Sequence, residues 1–215
     1  MRSSIRRAVH GASALIVVLA LAAAKSPAPA SAPAPQASRA LATKLQAGQG
    51  AETSFRERLE DPIGGTHERS GRLRIESPAL VRLDYGDSGE AITLRPDGGE
   101  WLQPGLGQML KFGASGQEVA RVWRLLLGTS SEGMTERRRT ARGWTIVPSD
   151  SELADSAWVD LDAAGMPARL TVFTGEASTN IEYRFTGWKF GPPKGKTAFT
   201  IKPPKGIHVI DADRR

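Results

Sequence analysis

The sequence predicts a mainly β protein with helices, an α+β fold in which a curved antiparallel, incomplete β-barrel (a half-barrel) is covered by a helical lid. Three observations predict it. Leu73 and Ile75 share one face of an extended segment, Val81, Leu83 and Tyr85 one face of the next, and Ile92 and Leu94 one face of a third, because side chains alternate across a strand. Turn residues separate these segments at Ser77-Pro78, Gly86 to Gly89 and Pro96 to Gly99, so they read as a meander. After it, Val119, Val122, Trp123, Leu126 and Leu127 recur at helical spacing, and that apolar stripe has to be buried against the sheet.

The N-terminal residues have a different character. Arg2, Arg6 and Arg7 precede a run of small and branched residues from Ala12 to Ala24, which ends in three alanines. This is the pattern of a cleaved secretory signal over residues 1–24, and the run is shorter than the ~20 apolar residues a spanning helix needs. Residues 25–37 alternate Pro with Ala and Ser, the composition of an extended linker. A single domain is expected over 38–215. The chain has no cysteine, so neither a disulfide framework nor a lipidated cysteine is expected, and the mature protein reads as soluble and untethered. Removing residues 1–24 takes away three arginines and lowers the formal charge from +6 to +3, too little and too scattered for a nucleic-acid partner.

The remaining elements follow in order. Leu41 and Leu45 lie one turn apart in Ser38 to Ala47, a short helix ended by Gly48 and Gly50. Thr53 to Leu59 alternates as a strand, and Asp61-Pro62 with Gly64-Gly65 breaks the chain before the meander. Gln108 to Phe112 is a strand bearing Met109, Leu110 and Phe112. Ser115 with Glu118 forms a capping box and Gly128 a stop, which bracket a central helix at Gln117 to Leu127. Arg137, Arg138, Arg139 and Arg142 form a basic run that reads as a solvated strand face or edge guard. Strands are expected at Trp144 to Val147, Ala157 to Asp162, Arg169 to Phe173 and Asn180 to Trp188, with Leu170, Val172, Tyr183 and Phe185 on their apolar faces. Phe199 to Ile201 and Ile207 to Ile210 read as two strand pieces around a Pro-Pro turn.

Catalytic patterns are missing. The histidines at 10, 67 and 208 have no partner at metal spacing, and there is no thiol nucleophile, HExxH or GxSxG motif. Asp160 to Gly165 lacks the ligand ladder of a calcium loop and reads as a hairpin turn. No enzyme activity and no cofactor are expected. The positive signal is apolar: Trp101, Met109, Trp123 and Met134, with the inward meander faces, line either a filled core or a cavity, and alternation alone does not separate the two.

Four segments carry a resemblance to a known family. They are Thr53-Ser54-Phe55; Gly71-Arg72-Leu73 leading through Ser77-Pro78 into Leu83-Asp84-Tyr85; Asp97 to Trp101; and Phe199 to Ile207. Together they resemble the periplasmic lipoprotein carrier family typified by LolA, over about residues 38–211. The resemblance implies a half-barrel with a helical lid and a hydrophobic cavity, for which the candidate lining is Leu73, Ile75, Val81, Leu83, Tyr85, Ile92, Leu94, Trp101, Met109, Val119, Val122, Trp123, Leu126, Leu170, Val172, Tyr183 and Phe185. It implies a monomeric periplasmic carrier that takes acylated lipoproteins from an inner-membrane lipoprotein-releasing ABC transporter and delivers them to an outer-membrane acceptor lipoprotein. The family's lid-latching arginine is replaced here by Ser77, which lacks a guanidinium's fork of donors. The latch is therefore expected to be weak, or supplied by Arg82 or Arg74. A periplasmic sensor or envelope scaffold that uses the same half-barrel for protein contact is the second expectation.

Overall fold

The structure, a computed structural model, describes residues 36–61, 65–76, 79–113, 123, 134–148, 156–174 and 179–213. Its elements are a helix α1 (Arg39–Gln46) and strands β1 (Gly50–Asp61), β2 (Gly65–Glu76), β3 (Leu80–Tyr85), β4 (Ala91–Arg95), β5 (Gly98–Gln103), β6 (Gln108–Gly113), β7 (Met134–Arg138), β8 (Gly143–Pro148), β9 (Ser156–Leu161), β10 (Pro167–Thr174), β11 (Thr179–Gly191) and β12 (His208–Asp211). They form one open sheet in the order β12-β6-β5-β4-β3-β2-β1-β11-β10-β9-β8-β7. Every neighbouring pair is antiparallel except β12, which runs parallel to β6. The sheet is therefore mixed and not closed, where the sequence predicts a purely antiparallel one.

Register sorts the side chains into two faces. Ile75 opposes Val81, which opposes Leu94, and Leu73 opposes Leu83, which opposes Ile92. On the other flank Phe55 opposes Phe185, and Glu57 opposes Tyr183, which opposes Leu170. Directly opposed residues point to the same face, so all of these share one apolar face. One core cluster runs along it from Leu94 in β4 to Ile146 in β8, with Leu41 and Leu45 of α1 packed into it. Those two strands are seven spacings apart in the order, more than 30 Å in a flat sheet at ~4.8 Å per strand. One contiguous cluster across them fits a sheet curved around its apolar contents. Gln36 and Ala37, at the end of the Pro/Ala-rich stretch, are tied down as well, because their backbone N–H groups donate to the Glu136 carboxylate on β7.

Close approaches set where bulk is admitted. A Cβ on Gly71 would lie 2.2 Å from the Asp84 carbonyl oxygen and 2.7 Å from the Phe55 ring, so glycine at that site lets the Phe55 ring lie across β2 beside Tyr85.

The return of the chain from β11 to β12 crosses the second face. Glu76 accepts from the backbone N–H of Lys194 and of Gly195, and Glu100 accepts from that of Ile201 at 2.7 Å. Arg82 and Arg95 donate to the carbonyls of Ala198 and Phe199. The strand expected at Phe199 to Ile201 is instead a 3-10 turn (Lys196–Phe199) followed by irregular chain, because its backbone groups bond to side chains of the sheet beneath and not to a neighbouring strand. This segment closes a second core of Ala91, Leu102, Met109 and Ile201.

The Phe199 ring is fully buried under that segment, whereas Leu106 is 69% exposed. Phe199→Ala is expected to lower the unfolding free energy by about 3–5 kcal/mol in urea titrations, and Leu106→Ala to leave it within about 0.5 kcal/mol.

Candidate hydrophobic binding site

The structure gathers most of the sequence-predicted lining. Leu73, Ile75, Val81, Leu83, Tyr85, Leu94, Trp123, Leu170, Val172, Tyr183 and Phe185 are buried in one cluster, and Ile92 packs against it. Trp101 shares this face through its register with Ile92 and is half-buried, its indole N–H donating to Glu90 at 2.6 Å. Met109 is a correction. It opposes Leu102 and sits in the second core under the C-terminal segment, on the other face of the sheet. The parity of its strand puts Leu110 and Phe112 on the apolar face instead, opposite Trp101 and Gly99.

Val119, Val122, Leu126 and the rest of the central helix apart from Trp123 lie outside the described residues, as does Ser77. Trp123 itself packs its ring 5.1 Å from that of Tyr183 and 6.4 Å from that of Phe185, both edge-on. The two stand-in latches do not act on that face. Arg82 pairs with Asp84 and the C-terminal carbonyls, and Arg74 pairs with Glu52 and Asp84. Both point to the second face because they alternate with Val81, Leu73 and Ile75.

Two features of the site escape a sequence reading. The first is a polar knot in the apolar face. Glu57 is only 2% exposed, and its carboxylate accepts from the Tyr85 hydroxyl at 2.6 Å and from Arg69 Nε at 2.9 Å. Arg69 also donates to Glu90 at 2.7 Å and lies over the Tyr85 ring at 4.2 Å. Burial, and then the Glu57 charge, push the Tyr85 hydroxyl far above its usual range. Burial, with Tyr85 and Glu57 beside it, does the same to Tyr183. These phenols stay protonated at neutral pH, so the knot offers donors that hold a carboxylate and no ionised nucleophile. Among the described residues no three acidic or histidine side chains gather at metal-ligating distance.

The second feature is a cavity of about 330 Å³ where β1, β2 and β11 meet the Pro192 to Lys194 loop. Ala51, Ile75 and Phe190 give it an apolar floor continuous with the core cluster, and Arg74, Lys189 and Lys194 supply cations at its edge. Glu52 bridges Lys194 at 3.2 Å and Arg74 at 3.4 Å. Burial works against ionisation of Glu52, but Lys194, Arg72 and Arg74 outweigh it and hold the carboxyl below its ordinary value. The loop stands as a wall because Glu76 holds its backbone. The signal that could have found this site is Glu76 itself, an acidic residue ending an apolar strand just before the turn. Its loop partners are more than a hundred residues away, beyond any local pattern.

No protein-family model matches the sequence, and no curated relative matches it. Solved structures do resemble the chain in outline. An uncharacterised conserved protein from Thermus thermophilus is 12% identical, with 82% of this chain and 99% of that one covered at a TM-score of 0.47. A LolA superfamily protein from Nitrosomonas europaea is 8% identical, with 79% and 98% covered at 0.45. A putative outer-membrane lipoprotein-sorting domain from Vibrio parahaemolyticus is 11% identical, with 73% and 92% covered at 0.44. The family that the sequence resembles is thus among its structural neighbours. At these identities and scores the function has to be read from the chain's own residues.

The sign of the alkaline response follows from the knot. Tyr85 and Tyr183 have raised values in the folded state, so the unfolded chain loses protons that the folded one keeps once the pH passes about 10. Unfolding free energy is expected to hold through neutral pH and to fall above that point. Tyr85→Phe removes a donor to a buried carboxylate and should cost about 1–3 kcal/mol at neutral pH, while making the alkaline decline shallower. Urea titrations of both proteins between neutral pH and 11 check the two effects together.

Proposed function

We propose that this protein is a non-enzymatic carrier in the bacterial periplasm that shields the acyl chains of lipoproteins, or of chemically similar cargo, and moves them from the inner to the outer membrane. In this reading the acylated lipoprotein is received from an inner-membrane ABC transporter and passed to an outer-membrane acceptor. The observation that carries it is the cavity beside β1 and β11, whose floor of Ala51, Ile75 and Phe190 is the end of the apolar face and whose edge carries Arg74, Lys189 and Lys194 beside Glu52 and Glu76. Such a site suits a chain with an apolar tail and an anionic or carbonyl-rich head. Its volume lies at the low end of the ~300–1,000 Å³ typical of small-molecule sites, so it is a point of entry, and deeper accommodation requires the Trp123 ring to leave those of Tyr183 and Phe185. A dozen buried methylenes at ~0.8 kcal/mol each would hold cargo by roughly 10 kcal/mol, which makes an opening step necessary for release.

A second reading, protein contact without lipid, has one observation in its favour. The edge strand β12 leaves Val209 and Ile210 exposed.

Displacement of a fluorescent hydrophobic probe tests both readings, using the full chain as the cell processes it. A carrier releases the probe to an acylated peptide and not to the same peptide unacylated, and shortening the acyl group by two methylenes weakens competition about tenfold. Equal binding of the acylated and unacylated peptides would instead identify the contact surface of a scaffold.

A further inference from the structure

The second face carries a charge arrangement that folding alone disfavours. Arg169 on β10 directly opposes Arg184 on β11, which directly opposes Arg56 on β1. Like charges opposed across a sheet destabilise it, yet three arginines stand in one row on three adjacent strands. Arg169 is tied to Asp160 and Arg184 to Glu182. Arg56 is exposed and has no ion pair among the described residues.

The next row begins at Arg137 and passes through Thr145, Trp158, Thr171 and Glu182 to Arg58. Trp158 is 39% exposed and meets the Phe173 ring edge-on at 4.5 Å. Arg139 lies over Trp158 at 4.6 Å. This aromatic pair, with Arg58 and Arg169, lines a groove of about 180 Å³. Arg137 and Arg142 extend the basic surface along the β7–β8 hairpin, both exposed.

We propose that this face is a docking surface for an anionic phospholipid bilayer. The charge balance carries the choice of partner. Seven arginines (56, 58, 137, 139, 142, 169 and 184) share the area with Glu60, Glu68, Asp160 and Glu182, and the excess is spread from β1 across the sheet to the β7–β8 hairpin and not gathered around one ligand. An extended anion satisfies such a spread better than a single small one. The exposed Trp158 backed by Phe173 provides the amphipathic ring that favours a membrane–water interface. The position agrees as well: the groove lies toward the Glu60 end of β1 and the cavity at its Gly50 end, so docking leaves the cavity accessible.

Sedimentation with phosphatidylcholine vesicles, with and without phosphatidylglycerol, tests the proposal on the full chain purified as the cell processes it. Binding is expected only to the phosphatidylglycerol vesicles and is expected to fall steeply with salt. The triple variant Arg56→Gln, Arg169→Gln, Arg184→Gln relieves the opposed charges and also removes the ion pairs to Asp160 and Glu182, so its unfolding in urea is compared with that of the parent alongside the binding measurement. The variant is expected to lose about fivefold in partitioning per arginine removed, roughly a hundredfold together, while its probe-displacement behaviour stays unchanged. Trp158→Phe should weaken binding without altering the salt slope. Equal binding to both vesicle types overturns the proposal, as does full retention by the triple variant. Competition by free glycerol phosphate or an acidic peptide as strong as by vesicles also overturns it, since the face would then hold a discrete ligand. Because the probe assay reads the cavity and sedimentation reads this face, failure of one leaves the other standing.

Discussion

A buried carboxylate governs this sheet. Glu57 lies in the middle of an apolar face, and its charge is tolerable there only because Arg69 reaches it from β2 and Tyr85 from β3, one strand further on. Leaving such a group without its partner costs about 3–5 kcal/mol, so the pairing is a strong condition on the register. Glu57 must oppose Arg69 on β2 and Tyr183 on β11, and Gly71 must then oppose both Phe55 and Tyr85. A slip of one residue in β1 would send Glu57 to solvent and bring Arg56 or Arg58 under the apolar contents. The knot therefore acts as a register pin, and the aromatic cluster of Phe55, Tyr85, Tyr183 and Trp123 is assembled around it.

The C-terminal return obeys the same logic on the other face. Glu76 and Glu100 are buried, and each accepts backbone N–H groups from a segment that would otherwise carry unpaired donors into contact with the sheet. This clamp covers Met109 and Leu102, and it builds the wall of the cavity beside Ile75. One segment thus closes the second core and shapes the entrance to the first.

Alternation made much of this legible. Leu73, Ile75, Val81, Leu83, Leu94, Leu170, Tyr183 and Phe185 fall where period-two reading puts them, because each strand there is apolar on one side only. Met109 went astray because Met109, Leu110 and Phe112 are apolar on both sides of one strand, and parity then carries no information. Phe199 to Ile201 has strand-like residues but crosses a face of the sheet, where it meets side chains and not a strand edge. Glu57, Arg69 and Glu90 look like ordinary surface charge in sequence. Their meaning lies in contacts between residues 11 to 28 positions apart, and for Glu57 with Tyr183 in a strand pairing across more than a hundred, which only the fold supplies. Ser77 and most of the central helix bear on the lid, and they fall outside the described residues.

The two faces explain each other. A sheet that keeps one face apolar must place its charges on the second, and the strand period forces them into rows, so an excess of arginine becomes a patterned surface and not a diffuse one. Asp160 and Glu182 compensate Arg169 and Arg184 locally, while Arg56, opposed to Arg184, has no ion pair among the described residues, a cost that an external anion would offset. The apolar face likewise ends in a cavity edged by cations instead of closing on itself. On the proposed carrier and docking roles, both features are matched by anionic or amphipathic chemistry from outside the chain. Lipid has both properties, with tails that suit the first face and headgroups that suit the second.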